Sequence, residues 1–546
     1  MHGQPFNKQR IPNPVHVWNT NGGGAGEPPF SGLVTISSTE RGGATGLWDL
    51  DLVLQDSGGS PLPSTTEITL TFKDFTNSVT IASATYNVGD IIGADAPSSE
   101  SGNWTSDIVP FLTGVAVQDG ATIGFTLYDY LLQDVDDLFS NLVRTFQFCL
   151  VADPSGEAAS SEDSANVDYS FFKAEYTTTK SGTHQTKVQL DLAGYSLIDW
   201  GDTQTAAAQI TTSTTTLQAT YADSSAKTVR IAIPSASNIT VWQQFTQSIT
   251  SFEEFDLSSC VQFRVTSSSS LTSLPAFDFG AVTYLDLKNN GFTTLSGSLD
   301  VSSVVTMRLD GNNLTSLPSG WDVSSVENLY CYNNNLTALP SGWNTVSMDF
   351  LNASSNNLTT LPSGWNTAAL ETLDVSFNNI SSLPSGWTTT ALSYIQVRNN
   401  TSLSAFPASW TSNAPIEQLY IQNTGFSSIP SFDFSACTVL DASNCASITS
   451  IGSAHNFASM VTFTLNGSAI TSWNQTAIST SVTTFSIFNN SLAQSEIDDV
   501  LSQLKTSYNT ANRVIVSNMT GNTAPSAAGI VDRDYLNTNG CTITTD

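Results

Sequence analysis

A hydrophobic pattern with a 22-residue period dominates the second half of the chain. Four segments repeat it almost letter for letter: MRLDGNNLTSLPSGW, LYCYNNNLTALPSGW, LNASSNNLTTLPSGW and LDVSFNNISSLPSGW. Apolar residues at alternate positions predict one short strand per unit, with one side pointing inward. The predicted inward residues are Leu309, Cys331, Leu351, Ala353, Leu373 and Val375. One unit cannot bury these side chains alone, so the units must stack, from about Phe263 to Asn490.

A second periodic position carries asparagine where the chain turns off each strand. This ladder comprises Asn290, Asn312, Asn334, Asn356, Asn378 and Asn400. We expect each side-chain amide to satisfy backbone groups of its own turn and of the next coil, which would otherwise be buried without partners. Later units carry Thr424, Cys445 and Ser468 instead. These smaller groups form fewer hydrogen bonds, so we expect looser packing there.

The fixed period and the pattern LxLxxNxLxxLP resemble a leucine-rich-repeat solenoid. The resemblance implies a coil of parallel strands that presents a long curved surface for binding and seldom carries out chemistry. A tryptophan recurs in register after each Pro-Ser-Gly turn or its equivalent, and we expect these rings to stack in the core on the convex side. The series is Trp321, Trp343, Trp365, Trp387 and Trp410, with Phe277 and Phe432 in that place in shorter units.

The residues beside the inward ones should point outward on the concave face. They form a cluster of aromatic and hydrogen-bonding side chains: Arg308, Tyr330, Tyr332, Phe350, Asp374, Tyr394, Gln396, Arg398, Tyr420 and Gln422. Such a cluster suits a host surface glycan or a protein partner. The alternative is that these are ordinary exposed aromatic residues without a ligand.

The first half of the chain predicts a mainly β protein. Residues 1–30 are rich in Gly, Pro and Asn and read as an extended anchoring arm or a disordered tail. Residues 31–152 alternate short strands with turns, which predicts an antiparallel β-sandwich or jelly roll for particle attachment. Residues 153–172 are small, polar and acidic, and we interpret them as a linker.

Residues 173–235 resemble the PKD-like immunoglobulin sandwich. The motif residues are Trp200, Gly201, Asp202, Tyr221, Ala222, Val229 and Ile231. In that family the unit is a spacer, and the resemblance implies a small Ig-like sandwich that leads into the solenoid (residues 236–492) near Ile239.

Residues 493–546 should close the far end of the solenoid as a small α/β cap. Ile497, Val500, Leu501 and Leu504 have helical spacing, and a strand, a second short helix and a final strand follow. This order resembles the C-terminal cap of leucine-rich-repeat proteins of bacteriophage and marine-bacterial type.

Charge and cysteine usage exclude several classes of function. The net charge is −30 with only 17 basic residues, which argues against nucleic-acid binding and docking on an anionic membrane. No apolar run is long enough for membrane insertion. The six cysteines are far apart, so we expect reduced, mostly buried thiols, with a Cys437–Cys445 disulfide as the minor alternative. No metal site and no cofactor are predicted, and we interpret Asp134–Asp137 as a solvated turn.

The sequence predicts no enzyme, because none of its four histidines accompanies a nucleophile or a carboxylate pair. Three functional hypotheses remain. The first is a virion surface protein (head fibre, decoration protein or tail appendage), made in the host cytoplasm, bound to other virion proteins through residues 1–152 and adhering to the host through the solenoid. The N-terminus shows no signal peptide, which favours this hypothesis. The second is a secreted or cell-surface bacterial adhesin, and the third is a purely structural particle component.

Overall fold

The structure is a computed structural model. It describes residues 33–40, 48–74, 79–92, 94–96, 98–102, 116–125, 143–153, 160, 162–190, 194–234, 238–245, 248–412, 414–452, 455–511 and 515–546. The predicted arm, residues 1–30, and the predicted turn Asp134–Asp137 lie outside the described residues. The described part is mainly β, as the alternating patterns predict.

Two antiparallel groups of strands form the N-terminal region. Its strands are Leu33–Glu40 (β1), Trp48–Gln55 (β2), Glu67–Asp74 (β3), Val79–Asn87 (β4), Ser99–Gly102 (β5), Thr122–Phe125 (β6) and Val143–Asp153 (β7). One sheet has the order β1-β2-β6, and the other runs β5-β4-β3-β7. Inside, the Phe72 and Phe146 rings stack with centroids 5.3 Å apart. Alternate residues of β2 and β3 are buried beside them, which gives this region its own core.

The middle region shares sheets with both of its neighbours. Its strands are Asp163–Thr178 (β8), Gly182–Leu190 (β9), Gly194–Asp199 (β10), Thr205–Ile210 (β11), Thr215–Tyr221 (β12), Lys227–Pro234 (β13), Ile239–Phe245 (β14) and Ile249–Glu254 (β15). Strands β11-β10-β13-β8 continue directly into the N-terminal sheet through the β8–β7 pair. Strands β12-β9-β14 begin a second sheet, which becomes the sheet of the solenoid.

The linker prediction for residues 153–172 is wrong for residues 163–172, because they form the first part of β8. Its first half pairs with β7 and its second half pairs with β13. A 16-residue strand therefore joins the two regions by backbone hydrogen bonds. These bonds do not require apolar side chains, which is why a polar composition did not prevent strand formation.

Inside the middle region, four of the seven residues that carry the PKD-like resemblance belong to the core, whereas Gly201 and Ala222 are exposed. Trp200 and Tyr221 are buried, and the Tyr221 hydroxyl donates to the Trp200 carbonyl oxygen at 2.8 Å. Gly201 has φ +77°, and a Cβ there would meet the Thr228 carbonyl oxygen at 2.4 Å, so only glycine fits. The carboxylate that caps this turn is Asp199, which accepts from the Gly201 N–H and pairs with Arg230.

The solenoid continues the second sheet with short parallel strands. They are Gln262–Thr266 (β16), Tyr284–Asp286 (β17), Thr306–Arg308 (β18), Asn328–Tyr330 (β19), Phe350–Asn352 (β20), Thr372–Asp374 (β21), Tyr394–Gln396 (β22), Gln418–Tyr420 (β23), Val439–Asp441 (β24), Ser450–Ile451 (β25), Thr462–Thr464 (β26), Ser472–Trp473 (β27) and Thr484–Ser486 (β28). A four-residue helix, Ala408–Thr411 (α1), precedes β23. Strands β25 and β27 form a separate parallel pair.

Asparagine side chains tie consecutive coils together. The Asn356 side chain accepts from the Leu336 N–H at 2.9 Å and donates to the carbonyl oxygens of Cys331 and Ala353. The neighbour that it bonds is thus the preceding coil rather than the next one, which corrects the expectation. Thr424 bonds only one backbone carbonyl, that of Ile421, as expected for a smaller group.

In this later part of the solenoid, the Cys445 thiol and the Ser468 hydroxyl still donate to carbonyl oxygens of the preceding coil, those of Ile421 and Ala442. The expected looser packing stays a prediction. A small apolar cavity lies between coils there, with Phe457, Met460, Phe463, Trp473 and Phe485 among its lining residues. The asparagine pattern resumes at Asn490, which bonds the Leu465 and Ile487 carbonyl oxygens.

The convex side carries the predicted aromatic core. All five tryptophans are buried, and neighbouring indoles lie 5.5 to 6.4 Å apart with nearly parallel planes. Each indole N–H donates to a backbone carbonyl of the preceding unit, as Trp365 does to Pro340 at 2.9 Å. The prediction that these rings are structural is confirmed.

The C-terminal region covers the last coil with the predicted elements. They are Gln494–Ala511 (α2), Val516–Asn518 (β29), Ala527–Thr538 (α3) and Thr542–Thr544 (β30). Strands β29 and β30 extend the solenoid sheet, which then has 16 strands from β12 to β30. Asn522 continues the asparagine ladder, since its side chain donates to Ile487 and Met519 and accepts from Leu492. Asn522 was not predicted as a member of the ladder.

All six cysteines are buried thiols that form no disulfide, as predicted. Among the helices of the described residues, none combines the length and the apolarity that a bilayer span requires.

Candidate functional site

The outward residues of the solenoid strands form one surface, which we call the concave face. It comprises the two outward residues of each strand from β18 to β23 and the residue two positions after each strand. In every one of these strands the middle residue is buried and its two neighbours are half-buried. All ten residues of the predicted cluster lie on this face. Strand pairing in register places equivalent residues side by side.

One group of side chains lies toward the first units. The Arg308 guanidinium lies over the Tyr330 ring at 5.0 Å, and the Tyr330 and Phe350 centroids are 4.7 Å apart. Arg308 also donates from Nε to Asp310 at 3.3 Å. Burial raises the pKa of the neighbouring Tyr332 hydroxyl, and the nearby Asp310 raises it further. This group therefore pairs its cation internally and leaves aromatic surface half exposed.

A second group lies on β22 and β23, beginning two strands after the last strand of the first group. The Tyr394 and Tyr420 rings are 5.6 Å apart, and the Gln396 amide donates to the Tyr394 hydroxyl. The Tyr420 hydroxyl donates to Gln418 at 3.1 Å, and burial raises its pKa. Since both hydroxyls are already hydrogen-bonded, the two rings are held in fixed positions on the face.

Three polar atoms in this second group are buried without a hydrogen-bond partner. They are Gln396 Oε1, Arg398 Nε and Gln422 Oε1. Buried polar groups in folded proteins nearly always have a partner, so three such atoms on neighbouring strands are unusual. A ligand with its own donors and acceptors could complete them.

Asp374 has a different role from the other predicted residues. Its carboxylate accepts from the Ser376 N–H at 3.0 Å and from the Ser376 hydroxyl at 2.5 Å. These bonds fix the turn after β21, as Asn352 does for the previous turn through Ser354. Asp374 therefore lies on the face but is occupied by its own turn.

Two features beside this face were not predicted from the sequence. Acidic residues precede three consecutive strands, and burial together with Glu327 and Glu371 raises the pKa of Asp349. Phe377 is 48% exposed and has φ 55°, in the left-handed region. The equivalent turns of the three preceding units carry Gly, Asn or Ser. The sequence therefore already showed Phe377 as unusual, because it reads FNN where those units read GNN, NNN and SNN.

The two histidines in the described part of the chain, His184 and His455, lie away from the concave face and have structural surroundings. His184 is fully buried, and its Nε2 lies 2.7 Å from the Tyr176 hydroxyl. Burial lowers its pKa from 6.5 to about 4. His455 packs between Phe434 and Phe457. Across the described ranges, no group of three His, Cys, Asp or Glu residues is placed to hold a metal ion.

Comparison with known proteins agrees with the repeat geometry. Residues 369–389 match the Leucine Rich Repeat family. The solenoid is built from leucine-rich repeats. Domains of this kind typically serve as non-enzymatic scaffolds for protein interaction or adhesion. No curated protein matches this chain in sequence.

Three solved structures resemble this chain over about half its length. YopM from Yersinia enterocolitica WA-314 is 20% identical over 53% of this chain and 61% of its own, with a TM-score of 0.37. Toll from Drosophila, in its complex with Spatzle, is 18% identical over 52% of this chain and 41% of its own, with a TM-score of 0.41. A Leptospira interrogans leucine-rich-repeat protein is 14% identical over 53% and 90%, with a TM-score of 0.30. The chain thus spans about three-fifths of YopM and two-fifths of Toll.

Proposed function

We propose that this protein is a non-enzymatic adhesion protein whose concave face binds a partner on a host surface. The observation that carries the proposal is the composition of that face. Two aromatic pairs and two arginines project from one continuous sheet, and three polar atoms among them lack partners. Tyr and Arg are enriched in the energetically dominant parts of protein interfaces.

The site of attachment is the second part of the proposal. We infer that the chain is a virion surface protein of a bacteriophage, held to other virion proteins through residues 1–152. Its modular order supports this assignment, because an N-terminal β region precedes the solenoid and shares a sheet with the middle region through β8. The likeness of residues 493–546 to caps of bacteriophage type supports it further.

The continuous sheets suit an adhesin mechanically. Strand β8 belongs to the sheet of the N-terminal region, and β14 pairs with β9 on one side and β16 on the other. A pull on the concave face would pass from the solenoid sheet into the middle region through the covalent chain. From there the pairing of β15 with β8, and of β8 with β7, would carry it to the proposed attachment region. No residue on the face needs to react for this role.

Localisation on intact particles tests the proposal. Antibodies against the solenoid, detected by immunogold electron microscopy, should label purified virions from the source culture. The purified full chain should also compete with these virions for adsorption to host cells. Label on the bacterial envelope and none on virions would contradict the virion assignment and favour a bacterial adhesin. Virion label without any competition would contradict adhesion and leave a structural particle component.

A further inference from the structure

Arg398 differs from the other arginines of the solenoid sheet in having no ionic partner. Arg264 pairs with Asp286 at 3.3 Å, and Arg308 pairs with Asp310 at 3.3 Å. Around Arg398, no carboxylate of the described residues lies within the 4.0 Å of a salt bridge. The residues at the equivalent position of the adjacent units are Ser376 and Gln422, which are neutral. Although the chain has 47 acidic residues, none of those in the described ranges forms a salt bridge with this cation.

The guanidinium is nevertheless held in a fixed place. It lies over the Phe377 ring at 5.3 Å, while its Nε is buried and has no hydrogen-bond partner. A stacked guanidinium keeps its planar edge free for a bidentate contact with a carboxylate. The side chain is therefore oriented for a ligand before any ligand arrives.

Phe377 holds the Arg398 guanidinium in this orientation, and its own backbone conformation and exposure are unfavourable for the stability of the unbound protein. Its φ of 55° is tolerated well by Asn or Gly but poorly by an aromatic residue. The ring is also 48% exposed. Backbone strain and exposed aromatic surface at one position are features that folding alone does not favour, and they coincide here with the stacked arginine.

The neighbouring amides complete the polar character of this place. Gln396 Oε1 and Gln422 Oε1 are buried acceptors without donors. A bare carboxylate could satisfy Arg398 but not these two oxygens, which need N–H or O–H groups. A peptide segment offers both, because each residue brings a backbone N–H next to its side chain.

We propose that Arg398, stacked on Phe377 between Gln396 and Gln422, binds an Asp or Glu side chain of an extended segment of a protein partner. This inference rests on the proposed binding role of the concave face and names the chemistry of its partner. A protein segment fits better than a single acidic sugar because the aromatic pairs extend along the face. Tyr330 in β19 and Tyr420 in β23 are four strands apart, about 19 Å, which is roughly the length of six extended residues.

A displayed library of random twelve-residue peptides, selected on the immobilised full chain, tests this proposal. The strongest peptide is then measured in solution against the wild type, R398Q, R398K and the control K288Q. Lys288 occupies the equivalent position after β17, five units earlier, so K288Q removes the same charge from the same side of the solenoid sheet at a distant place. Thermal unfolding of each variant checks that it is folded.

The proposal predicts selected peptides that share an Asp or Glu. R398Q should weaken binding at least tenfold, and R398K should weaken it less, since lysine keeps the charge but lacks the planar fork. Replacing the acidic residue of the peptide by its amide should cost a similar factor. That replacement should cost almost nothing further in R398Q, which is the signature of a direct pair. K288Q should stay within about twofold of the wild type.

Three results would overturn it. Selected peptides that bind R398Q as tightly as the wild type would refute the subsite and leave the concave-face adhesion role intact. Uronic-acid oligosaccharides that bind the wild type but not R398Q, with no peptide selected, would show that the occupant is a sugar. If neither peptides nor these oligosaccharides bind the wild type, both this inference and the binding role of the face fail.

Discussion

At the scale of single residues, the asparagine ladder joins one coil to the previous one. Asn356 satisfies one backbone N–H and two carbonyl oxygens that are buried between coils. Asn356→Ala leaves these groups without partners, and we expect a loss of about 3 kcal/mol in the free energy of unfolding. Urea denaturation measures it. The exposed neighbour Asn357 is the matched control, and Asn357→Ala should change stability by less than about 0.5 kcal/mol. Equal effects of both substitutions would contradict the structural role of the ladder.

His184 predicts a pH dependence at the start of the solenoid sheet. It lies on β9 in a buried cluster with Tyr176, and Lys180 and Tyr221 are nearby. Its pKa is lowered to about 4 in the folded protein, against 6.5 in the unfolded chain. The unfolded state therefore binds the proton more tightly, so stability is unaffected above pH 6.5 and falls as the pH drops toward 4. At 1.36 kcal/mol per unit, the loss approaches about 3 kcal/mol.

The His184→Gln variant isolates this contribution, because glutamine can still hydrogen-bond with Tyr176 but does not titrate. Urea denaturation between pH 7 and 4 should show a shallower loss of stability in the variant than in the wild type. Parallel curves for the two proteins would show that His184 is not the titrating group.

The sequence correctly predicted the burial of single residues at positions that repeat from unit to unit. The ladder asparagines recur every 22 residues and the tryptophans every 22 or 23, so their burial followed from the period alone. Phe377 and Arg398 occur once, and their importance depends on a backbone angle and a missing partner that only three-dimensional coordinates show. The ten concave-face residues were found because strand alternation fixes which way a side chain points.

At the scale of elements, the tryptophan stack supports the convex side of five coils. Trp365 lies 6.2 Å from both Trp343 and Trp387 and donates to the Pro340 carbonyl. Trp365→Ala should cost about 3–5 kcal/mol, the usual range for a buried aromatic residue. Trp365→Phe keeps most of the apolar area but loses the N–H donor, so it should cost clearly less. Thermal and urea unfolding of both variants test this, and an alanine variant as stable as the wild type would contradict the stacking role.

Composition predicted a linker where the first part of β8 forms. Its first residues are polar and small, and nothing in their composition distinguishes them from a linker. The strand forms because β7 and β13 offer backbone partners along its two halves. Such pairing is a long-range property, and sequence patterns report mainly local preference.

At the scale of the whole molecule, β8 joins one sheet of the N-terminal region (β5-β4-β3-β7) to one sheet of the middle region (β11-β10-β13). We expect the amides of residues 165–177 to exchange with deuterium as slowly as those of β3 and β13. A flexible linker would exchange within seconds, because its amides lack stable hydrogen bonds. Hydrogen–deuterium exchange followed by mass spectrometry measures this. Fast exchange across residues 165–177 would restore the linker interpretation and remove the mechanical continuity proposed for the adhesin.

The most direct test of the central claim compares two faces of the same solenoid. The full chain carrying Tyr330→Ala and Tyr394→Ala is measured for binding to host cells beside the wild type and a control with Asn344→Ala and Asn357→Ala, two exposed residues away from the concave face. Binding through the concave face predicts at least a tenfold loss for the tyrosine pair and no change for the asparagine pair. Unchanged binding by the tyrosine variant would contradict the account.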